Sequence, residues 1–229
     1  MKKLLLGIFG SLLLSQFSYA APSCQTPQKI PANKIENVDC KSDAKPDYYL
    51  FSLSWSPEHC SKSRDAFQCG LNKFDFVVHG LWPQSSTARD PKCGNPRHCG
   101  ASLVDDETIK QNLCLVPGVR LIQGEWQKHG TCAFSTAKEY YAKIRELWEG
   151  LNKPNMQQLA KDKGEKLTAG DVSDQFVALN SKLGLKSEFV KVKTVDGYLS
   201  EVQICYDLKY KPMECKFGGV SSKQRIKVR

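Results

Sequence analysis

The chain has 229 residues, with 33 Lys and Arg against 24 Asp and Glu, a formal charge of +9, and ten cysteines. That length accommodates one domain with a substantial core and requires no second. The cysteines form no tight CxxC pair, which excludes a cysteine-held zinc site, and the basic excess suits a polyanionic partner without identifying one.

Residues 1–20, MKKLLLGIFGSLLLSQFSYA, read as a secretory signal peptide: Lys2 and Lys3, an apolar run from Leu4 to Leu14, and small residues Ser18 and Ala20 at the exit, with cleavage near Ala20. The apolar run is too short for a membrane anchor, and no later segment is long and apolar enough to cross. An exported protein without a membrane anchor is expected, and its charge falls from +9 to +7 with the loss of Lys2 and Lys3. All ten cysteines follow the leader, and an even number in an exported chain predicts up to five disulfides.

Residues 22–47 predict an irregular arm pinned by a bridge, with Cys24 and Cys40 near its ends. In YYLFSLSW, 48–55, Tyr49, Phe51 and Leu53 alternate with Leu50, Ser52 and Ser54, which predicts a central strand; FDFVVHG, 74–80, predicts a second. Residues 84–102 form a long surface loop holding Cys93 and Cys99. A short helix is expected over 105–113. A longer one covers 135–151, capped by Ser135 and burying Tyr140, Ile144, Leu147, Trp148 and Leu151. A third spans 171–183. EFVKVKT and YLSEVQICYD then pair as strands around the turn residues Asp196 and Gly197. The pattern predicts an α+β fold, an antiparallel central sheet packed against several helices and stabilised by disulfides, in a single domain over 21–229. Spacing makes Cys60 with Cys69, and Cys205 with Cys215, plausible local bridges.

The stretch GEWQKHGTC, 124–132, carries the clearest chemistry. If it is helical, Glu125 and His129 lie one turn apart, roughly 6 Å along the axis, with Lys128 beside them and Trp126 directed into the core. An oxygen attacking phosphorus needs a base for its proton, an acid for the leaving oxygen and a cation for the charge that develops. His129 fits a proton-transfer role, Lys128 the cationic one, and Glu125 can orient or polarise the site. One imidazole cannot serve both proton transfers. The second candidate is His79 in FVVHGLWPQ, at the end of an apolar strand, where Gly80 lets the backbone turn and Pro83 stops the strand. His59 and His98 lie in polar, cysteine-flanked loops and are assigned no chemistry; Trp55 and Trp126 are assigned to the core.

HGLWP at 79–83 and EWQKHGTC at 125–132 closely resemble, in order and spacing, the two active-site segments of the ribonuclease T2 family. FSLSWSPEHC, 51–60, and EVQICYD, 201–207, resemble that family's first and late strands, so the likeness covers most of the mature chain. The resemblance implies an endoribonuclease of low base specificity that needs no metal or cofactor. It implies cleavage of RNA by transphosphorylation, leaving 2′,3′-cyclic phosphate and 5′-OH ends and sparing DNA for lack of a 2′-OH. It implies that His79 and His129 are catalytic, that Glu125 and Lys128 stabilise the transition state, and that Trp82 stacks on a base. His129 would be the first base and His79 the acid, with the roles exchanged if the cyclic ester is later hydrolysed. It also implies that Cys132 pairs with a cysteine of the 93–99 loop.

Two departures stand out: Gly124 replaces a histidine that many members carry there, and WSP replaces WP after the first strand. The first means that phosphate contact at that point is weaker or comes from elsewhere; the second leaves the pocket for the second base open. The short leader with its lysine pair has a bacterial look and favours the periplasm over full secretion. The alternatives are a non-cleaving secreted RNA-binding protein of the same fold, and a metal-dependent nuclease using Glu125 and His129 as ligands. RNA is the expected partner and no obligate protein partner is implied. The basic residues between Lys186 and Arg229 either extend an RNA track or form a solvated face.

Overall fold

Alternation shapes β1 (Tyr48–Trp55). Tyr49, Phe51, Leu53 and Trp55 enter the main hydrophobic core, and Leu50, Ser52 and Ser54 take the other face because successive side chains point oppositely. The computed structural model describes residues 24–90 and 92–229, so the signal peptide expected over 1–20 lies outside the described residues. β1 pairs with β2 (Phe76–Gln84) on one side and β4 (Tyr198–Asp207) on the other, and β4 pairs with β3 (Val190–Val195). Every pairing is antiparallel. The β3–β4 hairpin turns at Asp196 and Gly197, both with positive φ (52° and 79°), the conformation of the tight turn that their identities predict.

The helices are α1 (Ser56–Lys62), α2 (Asp106–Asn112), α3 (Val119–Lys128), α4 (Ala137–Gly150), α5 (Met156–Lys163) and α6 (Ala169–Leu179). Ile109, Ile122, Tyr140, Ile144, Met156 and Phe176 join the inward residues of the sheet in one cluster. Among the described residues no helix is long and apolar enough to cross a membrane. α4 is capped by Thr136, not the expected Ser135. Thr136 and Glu139 bond reciprocally to each other's backbone, whereas three residues after Ser135 stands Lys138, which cannot accept a hydrogen bond. Thr168 and Asp171 form the same box on α6, which starts at Ala169 and ends at Leu179, before a separate short turn over Ser181–Leu183. The sequence reading missed α5, which buries only Met156 and Leu159.

The second strand corrects the sequence reading more seriously. β2 runs on through Pro83 to Gln84, so His79 is within the strand and not at its end. Pro83 is tolerated because β2 is an edge strand, where a missing N–H need not break a ladder. Gly80 lies opposite Ser52 and Val78 opposite Leu53, which leaves His79 as the unpaired residue of a β-bulge. Val78 and Leu81, three residues apart, both face the core; the extra residue shifts the two-residue alternation and gives His79 and Gly80 to the opposite face. Tyr140 of α4 secures this irregularity from below: its hydroxyl accepts from the Leu81 N–H at 3.1 Å and donates to the Leu81 carbonyl at 3.2 Å.

Five disulfides join Cys24–Cys114, Cys40–Cys93, Cys60–Cys69, Cys99–Cys132 and Cys205–Cys215. The two local pairs and the tie from Cys132 to the long loop agree with expectation. The arm does not: Cys24 and Cys40 reach different partners, because the arm lies along α3, where Asn33 donates to Gln123 and the Glu36 backbone bonds to Gln127.

Candidate active site

Three elements converge on the polar face of the sheet. The β2 bulge presents His79, and β4 presents Glu201, paired opposite Ser54 of β1 and Lys193 of β3. The last turn of α3 supplies Glu125 and Lys128, and His129 follows as its C-terminal cap, with its N–H donating to the Glu125 carbonyl at 3.0 Å. The helix starts at Val119, earlier than the expected segment, and ends at Lys128 because His129 takes φ −121°. Gly130 permits that exit, since a Cβ there would press on the Trp126 and Tyr140 rings. Trp126 is buried, its indole N–H donating to Ser102 Oγ at 2.9 Å, and Trp55 is likewise in the core.

Glu125 is the hub. Its Oε2 accepts from the Trp82 indole N–H at 2.6 Å, and its Oε1 lies 3.6 Å from His79 Nε2. Gly80 is the reason that the carboxylate fits: a Cβ there would overlap Glu125 Oε2 and lie 2.5 Å from Trp82 Nε1. Glycine is therefore required for close approach, not for the turn expected from the sequence. Trp82 is also close to both imidazoles, its ring centroid 5.1 Å from that of His79, edge to face, and 5.4 Å from that of His129. The two histidines, fifty residues apart in sequence, thus flank one indole and share a cleft with Lys128, Gln84, Asn95 and Arg97.

His79 Nδ1 lies 2.6 Å from Glu201 Oε1. A carboxylate can only accept there, so Nδ1 carries the hydrogen and Nε2 is the nitrogen turned towards Glu125. Burial alone would push the His79 imidazole down, but the hydrogen bond to Glu201 and the charges of Glu125 and Glu201 outweigh it, and its pKa is raised above 6.5. His129 is driven the other way: burial first, then the positive charges of Lys128 and Arg97, hold it well below 6.5. Its Nδ1 is buried without a hydrogen-bond partner among the described residues. Burial raises Glu125, against the pull of His79, Trp82 and Lys128. Burial also works on Glu201, but its hydrogen bond and ion pair with His79 prevail and keep it below the ordinary carboxylate value. The site thus shifts the two imidazoles in opposite directions, His79 towards its charged form and His129 towards its neutral one, which is the pairing that concerted proton donation and removal demands.

Every residue singled out from the sequence, His79, Trp82, Glu125, Lys128 and His129, lines this one cleft. His59 is on α1, exposed, beside a cavity of about 640 Å³ that also reaches His79 and Glu201. His98 is buried with φ 54°, its N–H donating to the Lys128 carbonyl and its ring 3.3 Å from Asp39. With Cys99–Cys132 and the Gly100 N–H to Thr131 Oγ1, it stitches the long loop to the end of α3. At Gly124 an added Cβ would meet nothing within 4 Å, so the space of a side chain there is open. Glu201 and Arg97 were not singled out from sequence. The alternation of Glu201 and Gln203 with Val202 and Ile204 marks them as one polar face, but not as neighbours of His79.

Comparison with known proteins gives the same picture. The profile of the ribonuclease T2 family matches residues 46–215. A probable ribonuclease of Haemophilus influenzae is 34% identical over 194 residues, covering 79% of this chain and 65% of that protein. A ribonuclease of Aeromonas hydrophila is 37% identical over 102 residues, 44% of each chain. This chain therefore spans less than two thirds of the length of either relative. Among solved structures, RNase NT in complex with 5′-AMP superposes with a TM-score of 0.60 at 20% identity, over 81% of this chain and 98% of that one, a likeness of fold.

Proposed function

The chain belongs to the ribonuclease T2 family, and from that membership we propose that it is a metal-independent endoribonuclease of low base specificity. His129 takes the proton of a ribose 2′-OH as its oxygen attacks the adjacent phosphorus. The bond from phosphorus to the 5′-oxygen breaks, and His79 Nε2–H supplies the proton to that leaving oxygen, giving a 2′,3′-cyclic phosphate and a free 5′-OH. Lys128 holds the negative charge that grows on the non-bridging oxygens, and Glu125 orients the site through Trp82 and His79. Trp82 offers an aromatic surface to a base, a contact tolerant of base identity. DNA lacks the nucleophile and is spared.

The single observation that carries this reading is the pair of imidazoles lining one cleft around one indole, His79 facing two carboxylates and His129 none, with their pKa values shifted in opposite directions. Among the described residues no group of three or more His, Cys, Asp or Glu side chains is arranged to hold a metal ion. Residues 1–20 act as the leader, 21–229 as one catalytic domain, and the five disulfides suit an oxidising destination such as the periplasm. The test is to incubate RNA with the purified protein in excess EDTA. Cleavage to cyclic-phosphate ends is expected, abolished by His129→Ala with RNA binding largely retained. Cleavage that stops with EDTA, or that survives His129→Ala, overturns the proposal.

A further inference from the structure

We infer that Glu201 is a positioning residue for His79, fixing the imidazole so that Nε2–H meets the leaving 5′-oxygen. This rests on the ribonuclease reading above and assigns the site a residue from the far end of the chain. His79 is the unpaired residue of the bulge, so ladder pairing alone does not set its side-chain direction. The ring is instead held by its nitrogens: Nδ1 on Glu201 Oε1 at 2.6 Å, and Nε2 facing Glu125 Oε1 at 3.6 Å. The longer of these two distances is on the side where a phosphate must enter.

Glu201 is itself fixed. Its side chain is 15% exposed; its Oε2 accepts from Gln203 Nε2 at 3.1 Å and lies 3.9 Å from Lys193 Nζ, a side chain 49% exposed. A carboxylate with a merely structural task on this sheet would close on Lys193, the opposite charge across the β3–β4 pair. Here the closer partner is the imidazole. The two oxygens divide the work: one is occupied by neighbours on the sheet, and the other is left for His79. The arrangement fixes the tautomer and stabilises the charged ring, as an outer carboxylate does for a working histidine.

The other charged groups facing this pair are Glu125 and Lys128 of α3, His129 at its end, Lys193 of β3, and Glu58, His59 and Lys62 of α1 across the adjoining cavity. Glu58 is occupied by Arg229 and Lys62, and Lys62 also by Asp196, which leaves Glu201 and Glu125 as the carboxylates that act on the ring.

The test compares wild type, Glu201→Gln, Glu201→Ala and Glu201→Asp on two substrates across pH. One is a dinucleoside monophosphate, whose alkoxide leaving group needs a proton; the other is a nucleoside 3′-(4-nitrophenyl phosphate), whose leaving group departs without one. Glu201→Gln should move the descending, high-pH limb of kcat/KM on the dinucleotide down by about one pH unit. Glu201→Ala should lose about 10²-fold on the dinucleotide and only a few-fold on the nitrophenyl ester. Glu201→Asp should restore the limb by restoring the charge. Equal losses on both substrates, or an unmoved limb in Glu201→Gln while wild type cuts normally, overturn the role of Glu201. If wild type cuts neither substrate, the ribonuclease reading itself falls. Proton NMR titration of the His79 ring, expected to drop in Glu201→Gln, reads the coupling without turnover.

Discussion

The indole N–H of Trp82 donates to Glu125 Oε2 at 2.6 Å, so the residue expected to meet a base is also the one that holds the central carboxylate. The two roles separate by substitution. Trp82→Phe keeps an aromatic face but leaves Glu125, which is buried, without its indole donor. A lost hydrogen bond to a charged group costs about 1.5–3 kcal/mol, so kcat should fall about tenfold to a hundredfold while KM changes little. Trp82→Ala should raise KM as well. Steady-state kinetics on a dinucleotide distinguish them; an unaltered kcat in Trp82→Phe removes the holding role.

The pH dependence follows from the two imidazoles with opposite signs. The base must be neutral, so kcat/KM should rise as pH climbs through the His129 pKa, which burial, Lys128 and Arg97 set well below 6.5. The acid must be protonated, so it should fall as pH climbs through the His79 pKa, which Glu201 and Glu125 set above 6.5 against the effect of burial. The two limbs leave a plateau that straddles 6.5, where both groups are in their working states. A profile of kcat/KM on a dinucleotide that peaks sharply at 6.5, or that is flat throughout, contradicts this assignment.

The same displacement of pKa values penalises the second half of the reaction. Hydrolysis of the cyclic ester exchanges the roles, so it needs His79 neutral and His129 charged. With His79 raised and His129 lowered, no pH offers both states in quantity. The 2′,3′-cyclic product should therefore accumulate, with hydrolysis slower than RNA cleavage at neutral pH. Phosphorus NMR of the product mixture over time measures it directly. Prompt appearance of 3′-monophosphate, keeping pace with cleavage, would show that the enzyme does not hold the two rings in fixed and opposite states.

Local patterns carried much of the fold into view. The alternation in 48–55, the Asp196–Gly197 turn between apolar runs, and the helical recurrence of Tyr140, Ile144 and Leu147 are each set by neighbours in sequence, and each matches the structure. The cluster of Glu125, Lys128 and His129 was legible for the same reason: one helical turn brings them together. The bulge at His79 left a trace in the three-residue spacing of Val78 and Leu81, but that trace acquires meaning only once Leu53 and Phe51 are known to lie opposite them. Glu201 was invisible as a partner because its placement depends on β1 lying between β2 and β4, a pairing across more than a hundred residues that no local rule dictates. The arm failed for a related reason: Cys24 and Cys40 are near each other in sequence, yet their partners are chosen by where Gln123 and Gln127 hold the intervening chain.

Gly80 offers the most economical test of how the bulge and the helix are fitted together. A methyl group there would overlap Glu125 Oε2 and crowd Trp82 Nε1, while Tyr140 binds the Leu81 backbone from the opposite side and prevents β2 from withdrawing. Strain introduced into a packed site typically costs about 1–3 kcal/mol, and a displacement of reacting groups by about 1 Å can cost 10²-fold in rate. Gly80→Ala should therefore lower Tm by several degrees, at about 2–4 °C per kcal/mol for a chain of this size, and reduce kcat about 10²-fold. Adding Glu125→Ala to Gly80→Ala removes the obstructing carboxylate but leaves the contact with Trp82 Nε1, so the double variant should recover part of the lost Tm without recovering activity. Thermal melts that place the double variant below Gly80→Ala would mean that the clash is relieved elsewhere and that Gly80 does not set the distance between strand and helix.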